Sequence, residues 1–600
     1  LAVSPSPIAA APLQQDDDTR AQAQAYFNAG MDHLNSGDYS AALQAFEDVL
    51  PLYQAIGNQL GEALALNGIG MASQALENWE AALDAYARSL PLWTALEQAG
   101  FAATTHNVMA FIHQSLGELE QARSHFAATI ELPEAASIAY QQAEALLGLG
   151  NIDLTENQPD AALRRFEASL RIWKELNLPD FVALTQASIA EALTAMAKED
   201  LSRGRYDQSV DCYARALAIY RDLALPALEA WTLNEIGAIY LAQARYQEAH
   251  NSLGEALELC RTADDPECEV SALNNLGEVY DSLGLYQQAM TQHEAALAVC
   301  RAAENCAKDE ARILHNMGRD YLNLGRYEEA GDQLRAALVM TRELADREQE
   351  AKTLNSIAAL RMSQARYEDA LSLYQEALAI FREITHREGE EATLGNIGEI
   401  YSRQGRFQDA LEQYTAALTL ARSIEDLPGE ATALGNIGSV YGSVGKYEDA
   451  LIQQRAALDT WQEIGDLDGQ ATAHNEIGAV YDSLGQYEQA LAQYRAALII
   501  GRQTGDRRGE ATKLNNMGLV YFNLGRYEDA LTQYETARDI ALEITAPALE
   551  ATTLDNIASA QASLKQYDEA LVTHKAALDI REKIGDKAGE GATQNNIGTI

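Results

Sequence analysis

Among 600 residues, the side chains best suited to covalent or metal chemistry are few: ten histidines and five cysteines. His106 and His113 lie seven residues apart, about two helical turns, so they share one helix face. No cysteine or aspartate at ligand spacing accompanies them, and surface or groove histidines are the reading that remains. Cys260 and Cys268 bracket the segment CRTADDPEC, and Cys300 and Cys306 bracket CRAAENC. Each pair could close a short loop as a disulfide in an oxidising compartment. The residues alone leave disulfides and free thiols both open, with Cys212 left over. Convergence of the four on one metal ion is a third reading, but their spacing fits no standard zinc pattern. No glycine-rich phosphate loop follows a strand, because no segment reads as a strand. The expectation is a protein with no catalytic residue, no metal and no cofactor.

The polar residues that do recur are asparagines. Asn67, Asn107, Asn234, Asn274, Asn275, Asn316, Asn355, Asn396, Asn436, Asn475, Asn515, Asn516 and Asn556 stand at one of two adjacent places in a repeating unit. Asparagine is a mediocre helix former, so its return inside a helical pattern asks for a role. An amide donates and accepts at once, and one role is to bond the neighbouring unit and orient the stack.

The unit itself is marked by a "RYEDA"-like segment. Its first large residue falls at Tyr39, Trp79, Leu119, Pro159, Tyr206, Tyr246, Tyr286, Tyr327, Tyr367, Phe407, Tyr447, Tyr487, Tyr527 and Tyr567. Fourteen units of about forty residues predict a solenoid with one continuous core. The helical period within a unit leaves room for two helices and two short turns. Nine residues before each anchor the residue is small, as at Gly70, Gly398, Gly438 and Gly518, with Ala190 taking this part in the unit of unusual length. Ala or Ser209 follows three residues after the anchor, and Ala ten after it from Ala216 to Ala577. Small residues at fixed places let two antiparallel helices pack closely, which accounts for Gly438 in the stretch ALGNIGSVYGSVGKYEDAL despite its helix penalty. Gly445 in the same stretch reads as a turn residue. Between Pro159 and Tyr206 the spacing grows by seven residues. Two extra helical turns would keep the apolar faces in register, and both helices of that hairpin are expected to lengthen.

Gly478, Tyr481, Gly485, Ala490, Tyr494 and Ala497 match the signature of the tetratricopeptide (TPR) repeat, and the chain resembles that family from about Ala21 onward. The forty-residue unit departs from the usual 34 and looks like the kinesin light chain type found in long bacterial arrays. The resemblance implies an all-α, right-handed superhelical solenoid of antiparallel helix pairs whose first helices line a concave groove. There the recurring asparagines, Asn234 to Asn556, would bond the backbone of an extended protein or peptide ligand, and this stands beside the stacking role. The implied function is a non-enzymatic interaction scaffold. Long arrays of this form also resemble the sensor half of proteins that end in a caspase-like (CHAT) peptidase domain, whose catalytic pair would lie beyond Ile600. A third reading, a regulator with an upstream nucleotide-switch or DNA-binding module, conflicts with a signal-like leader.

Bulk composition narrows the partners. A formal charge of −45 opposes nucleic acid and anionic membrane surfaces; it serves solubility and leaves room for cationic partners. No run reaches the roughly 18 apolar residues of a membrane span. Residues 1–20, LAVSPSPIAAAPLQQDDDTR, read as a signal-like or disordered leader, with Ala9 and Ala11 in an A-x-A arrangement that favours export over a cytoplasmic location. Residues 21–178 read as a diverged first block, 179–586 as the regular array, and 587–600 as the start of a further repeat.

Overall fold

The computed structural model describes residues 11–133, 137–303, 306–584 and 586–600. These residues form twenty-nine helices and no strand. All fourteen anchors open a second helix, from Tyr39–Ala55 to Tyr567–Ile584. The reason is local. Two residues before an anchor the backbone turns into the left-handed region, at Gly445 with φ +76° and at Ala365 with φ +55°, which ends one helix and redirects the chain into the next. First helices follow the same left-handed turn, as at Glu425 with φ +57°, and many add a side-chain cap. In the segment Asp426-Leu-Pro-Gly429 the carboxylate accepts from the Gly429 amide at 3.0 Å, and Asp346, Asp466 and Asp506 cap their helices in the same way.

Most helices are 17 residues long, and first and second helices pack as antiparallel pairs. Small residues nine before the anchor receive a large side chain from the second helix. A Cβ on Gly398 would lie 2.7 Å from the Tyr414 ring, and one on Gly438 would lie 2.9 Å from Gln454 Cγ. The glycines therefore seat an inserted side chain rather than bringing two bare backbones together. Successive first helices also touch one another, whereas successive second helices are spread apart. The first helices thus line the inner, concave side of each stretch of array.

The seven extra residues all enter one helix. Pro179–Ser202 has 24 residues, while Tyr206–Asp222 keeps 17. The expectation that both helices lengthen is thereby corrected. The small residue packed on the second helix is Ala197, whose carbonyl accepts from Ser209 Oγ at 2.7 Å, and not Ala190. The extra turns are accommodated by extending the first helix N-terminally, because the pairing with Tyr206–Asp222 is fixed by the residues next to the turn.

The chain divides into two compact units, and the division falls between Met196 and Ala197 inside this long helix. In the first unit Trp93 and Trp173 are fully buried, stacked on Phe101 and Phe181. Within the second unit the array returns on itself. Arg508 donates to the Tyr286 hydroxyl at 3.2 Å across 222 residues of sequence. Of residues 1–20, the first ten lie outside the described residues and the helix Ala11–Ser36 takes in the rest. Residues 587–599 form a helix packed on its predecessor.

Candidate functional site

The structure brings His106 and His113 together with a third histidine, His125. The Nδ1 atoms of His106 and His125 are 3.1 Å apart, and His113 stacks on His125. Burial, followed by repulsion from the other two rings, pushes the His125 pKa down to about 4. Among the described residues no group of three His, Cys, Asp or Glu is arranged to hold a metal ion. The cysteines form the pairs Cys260–Cys268 and Cys300–Cys306, with Cα separations of 5.5 and 5.4 Å. Each pair ties the end of a second helix to the following first helix, and Cys212 lies outside both.

The asparagines fall into two groups, and the register of the repeat decides which. Asn275 Nδ2 donates to Asn234 Oδ1, Asn316 to Asn274, Asn516 to Asn475 and Asn556 to Asn515, at 2.8 to 3.1 Å. In each case an amide eleven residues before its anchor reaches the amide twelve before the anchor of the preceding repeat. Asn355 reaches Thr393 instead at 2.9 Å, and in the first unit Asn107 bonds the Gln141 carbonyl at 2.8 Å. These side chains form a ladder that joins successive first helices.

The ladder is interrupted at Asn396 and Asn436. Asn436 would need its acceptor at position 395, and that residue is glycine. Asn396 would need Asn355 Oδ1, an atom that is buried and makes no hydrogen bond. Asn396 and Asn436 are half-buried, without any hydrogen-bond partner, and both line a cavity of about 440 Å³ between the helices Arg387–Arg403 and Leu427–Ser443. Tyr414 of the intervening second helix also lines it.

The remaining wall sets four carboxylates, those of Glu388, Glu391, Glu399 and Asp426, among small residues. Glu399 pairs with Arg403 at 2.7 Å, and Asp426 is occupied by its capping bond. Glu391 differs from these: it is 7% exposed, yet it has neither an ion pair nor a hydrogen bond. Burial, and then the nearby Asp426 carboxylate, push its pKa up to about 7. The neighbouring Glu390 is equally buried but is gripped by Arg382 and Arg387 at 2.7 and 2.9 Å.

Sequence reasoning missed His125, Glu391 and a recurrent clasp. In the clasp an arginine near the end of a second helix holds a glutamate in the first turn of the next helix eight residues on, as in Arg342–Glu350, Arg382–Glu390, Arg422–Glu430 and Arg502–Glu510. Its forty-residue period was the signal that could have shown it. For Glu391 the signal was an exception, because the equivalent place holds Ala311, Ala351, Ala431, Ala471, Ala511 and Ala551.

A family model described as "Tetratricopeptide repeat" matches eleven overlapping segments, beginning with residues 61–135, 100–175 and 188–262 and ending with 509–583. No curated protein sequence matches the chain. Among solved structures, the chain is similar to BtubC (BKLC) from P. vanneervenii, with 21% identity and a TM-score of 0.31, over 37% of this chain and 91% of that one. It is also similar to a Rap protein complexed with competence and sporulation factor, with 14% identity and a TM-score of 0.43, over 60% of this chain and 99% of that one.

Proposed function

Because the chain belongs to the tetratricopeptide repeat family, we propose that it is a non-enzymatic scaffold that holds an extended protein segment against the concave face of its first helices. The observation that carries this reading is the pair Asn396 and Asn436. Two unengaged amides on successive first helices flank a cavity, and each can donate to and accept from a peptide backbone. The other asparagines serve the ladder, so their removal should act on the stack.

Among the described residues no helix is long and apolar enough to cross a membrane, and the charge of −45 disfavours nucleic acid. A protein or peptide partner fits both facts. The test starts from a linear peptide selected by display on the full chain. The double variant Asn396→Ala/Asn436→Ala should weaken that peptide at least tenfold while backbone exchange in the helix Arg387–Arg403 stays unchanged in the absence of peptide. Unchanged affinity in that variant, with the peptide protecting no first helix from exchange, would refute groove binding.

A further inference from the structure

The cavity at Asn396 and Asn436 contains a feature that the fold does not require. At the position of Glu391 twelve of the thirteen other repeats bury an alanine, from Ala23 to Ala551 and each 2% exposed or less, and the thirteenth buries Val270. Packing there calls for a methyl group. A carboxylate largely covered by protein without a partner is costly, and buried acids are ordinarily paired, as Glu390 is one residue earlier. Glu391 is more than nine-tenths buried, unpartnered and part of the cavity wall. Its Cδ lies 3.2 Å from where a Cβ on Gly429 would stand, so it is held against the opposite helix of the same cavity. No lysine or arginine lines the cavity.

We propose that Glu391 is the anchor for one cationic side chain, lysine or arginine, projecting from the extended segment bound along the first helices. The inference rests on the groove reading and specifies the partner's chemistry. Asn396 and Asn436 hold the segment's backbone on either side, and the cation enters between them. Asp426 adds negative potential to the wall, whereas Glu399 is held by Arg403. A cation seated on this largely covered carboxylate makes a charge-assisted hydrogen bond, the stronger kind, and relieves the cost of leaving Glu391 alone. The acidic chain as a whole would draw such a segment in, but only this repeat offers it a carboxylate with no existing partner and more than nine-tenths buried at the alanine position.

The test uses the full chain and three probes: acetyl-(Gly-Lys)3-amide, the same peptide with norleucine for lysine, and spermidine. Binding is measured by calorimetry, and the contact is mapped by hydrogen exchange over residues 387–403 and 427–443. Glu391→Gln should weaken the lysine peptide at least fivefold, whereas Glu412→Gln, which removes an equal charge from an exposed site, should change it less than twofold. Glu391→Ala, which restores the residue of the other repeats, should weaken it similarly and remove any doubt about folding. Equal losses in the Glu391 and Glu412 variants would overturn the inference in favour of diffuse attraction. Tighter binding of spermidine than of the peptide would overturn it in favour of a small-amine site. A norleucine peptide that binds as well as the lysine peptide and protects these helices would sink the cation anchor and leave the groove reading standing. Absence of protection with either peptide would sink both.

Discussion

Two glycines three residues apart in the helix Arg387–Arg403 should respond in opposite directions to the same change. A Cβ on Gly395 would meet nothing within 4 Å, whereas one on Gly398 would lie 2.7 Å from Tyr414 Cε1 and 2.9 Å from Cδ1. Gly395→Ala therefore gains only helix propensity, about 0.5–1 kcal/mol. Gly398→Ala gains the same amount but must push a ring that is 4% exposed outward toward ordinary contact distance, and overpacking of this kind costs about 1–3 kcal/mol. The propensity terms cancel between the two variants. Their difference isolates the packing cost, about 1–3 kcal/mol, or roughly 5- to 150-fold in an opening equilibrium. A long array does not unfold in one step, so the assay is native-state hydrogen exchange of the amides in Arg387–Arg403 and Phe407–Ser423. Exchange should slow in Gly395→Ala and quicken in Gly398→Ala. If both variants are stabilised alike, the glycine is not the seat of the inserted ring, and the explanation of the repeat's small residues fails.

Three further outcomes are expected. Protein prepared without reductant and then unfolded should show one reactive thiol, that of Cys212, and five after reduction; five at the outset would exclude the pairs Cys260–Cys268 and Cys300–Cys306. Asn516→Ala breaks a rung to Asn475 and should cost about 0.5–1.5 kcal/mol locally, read as faster exchange in Leu467–Ser483, while Asn436→Ala should leave exchange in its neighbours within experimental error. Glu391→Gln should have little effect on stability below about pH 4.5 and become progressively stabilising as pH rises through about 7. The folded-state pKa of Glu391 is raised above its ordinary value, so the favourable term of the neutral acid is present at low pH and lost as the group ionises against Asp426, with Glu388 and Glu399 also on the wall. A pH-independent difference between wild type and Glu391→Gln would show that the carboxylate is solvated.

Regular features were readable from the chain because repetition averages out local accident. Each anchor from Tyr39 to Tyr567 opens a helix because the same turn precedes it in every unit. Single departures were harder to interpret. The asparagine column was visible, but its division into ladder and cavity depends on a bond between places eleven and twelve of adjacent units, and only the stacking offset reveals that Gly395 removes an acceptor. The lengthening at Pro179–Ser202 was expected from the seven-residue insertion, yet its confinement to one helix was not, since periodicity gives the phase of a helix and not its end. Glu391 was passed over among 89 acidic residues because a carboxylate in a charged sequence attracts notice only against the alanines that stand in its place elsewhere.

The contact of Arg508 with Tyr286 gives the second unit the mechanics of a spring whose adjacent coils touch. Such a spring resists compression, and it lengthens first where the coils meet. The joint links residues 222 apart in sequence, with Leu285 packed against the core around Tyr521 and Tyr534, so a load on the coil passes between repeats that are far apart along the chain.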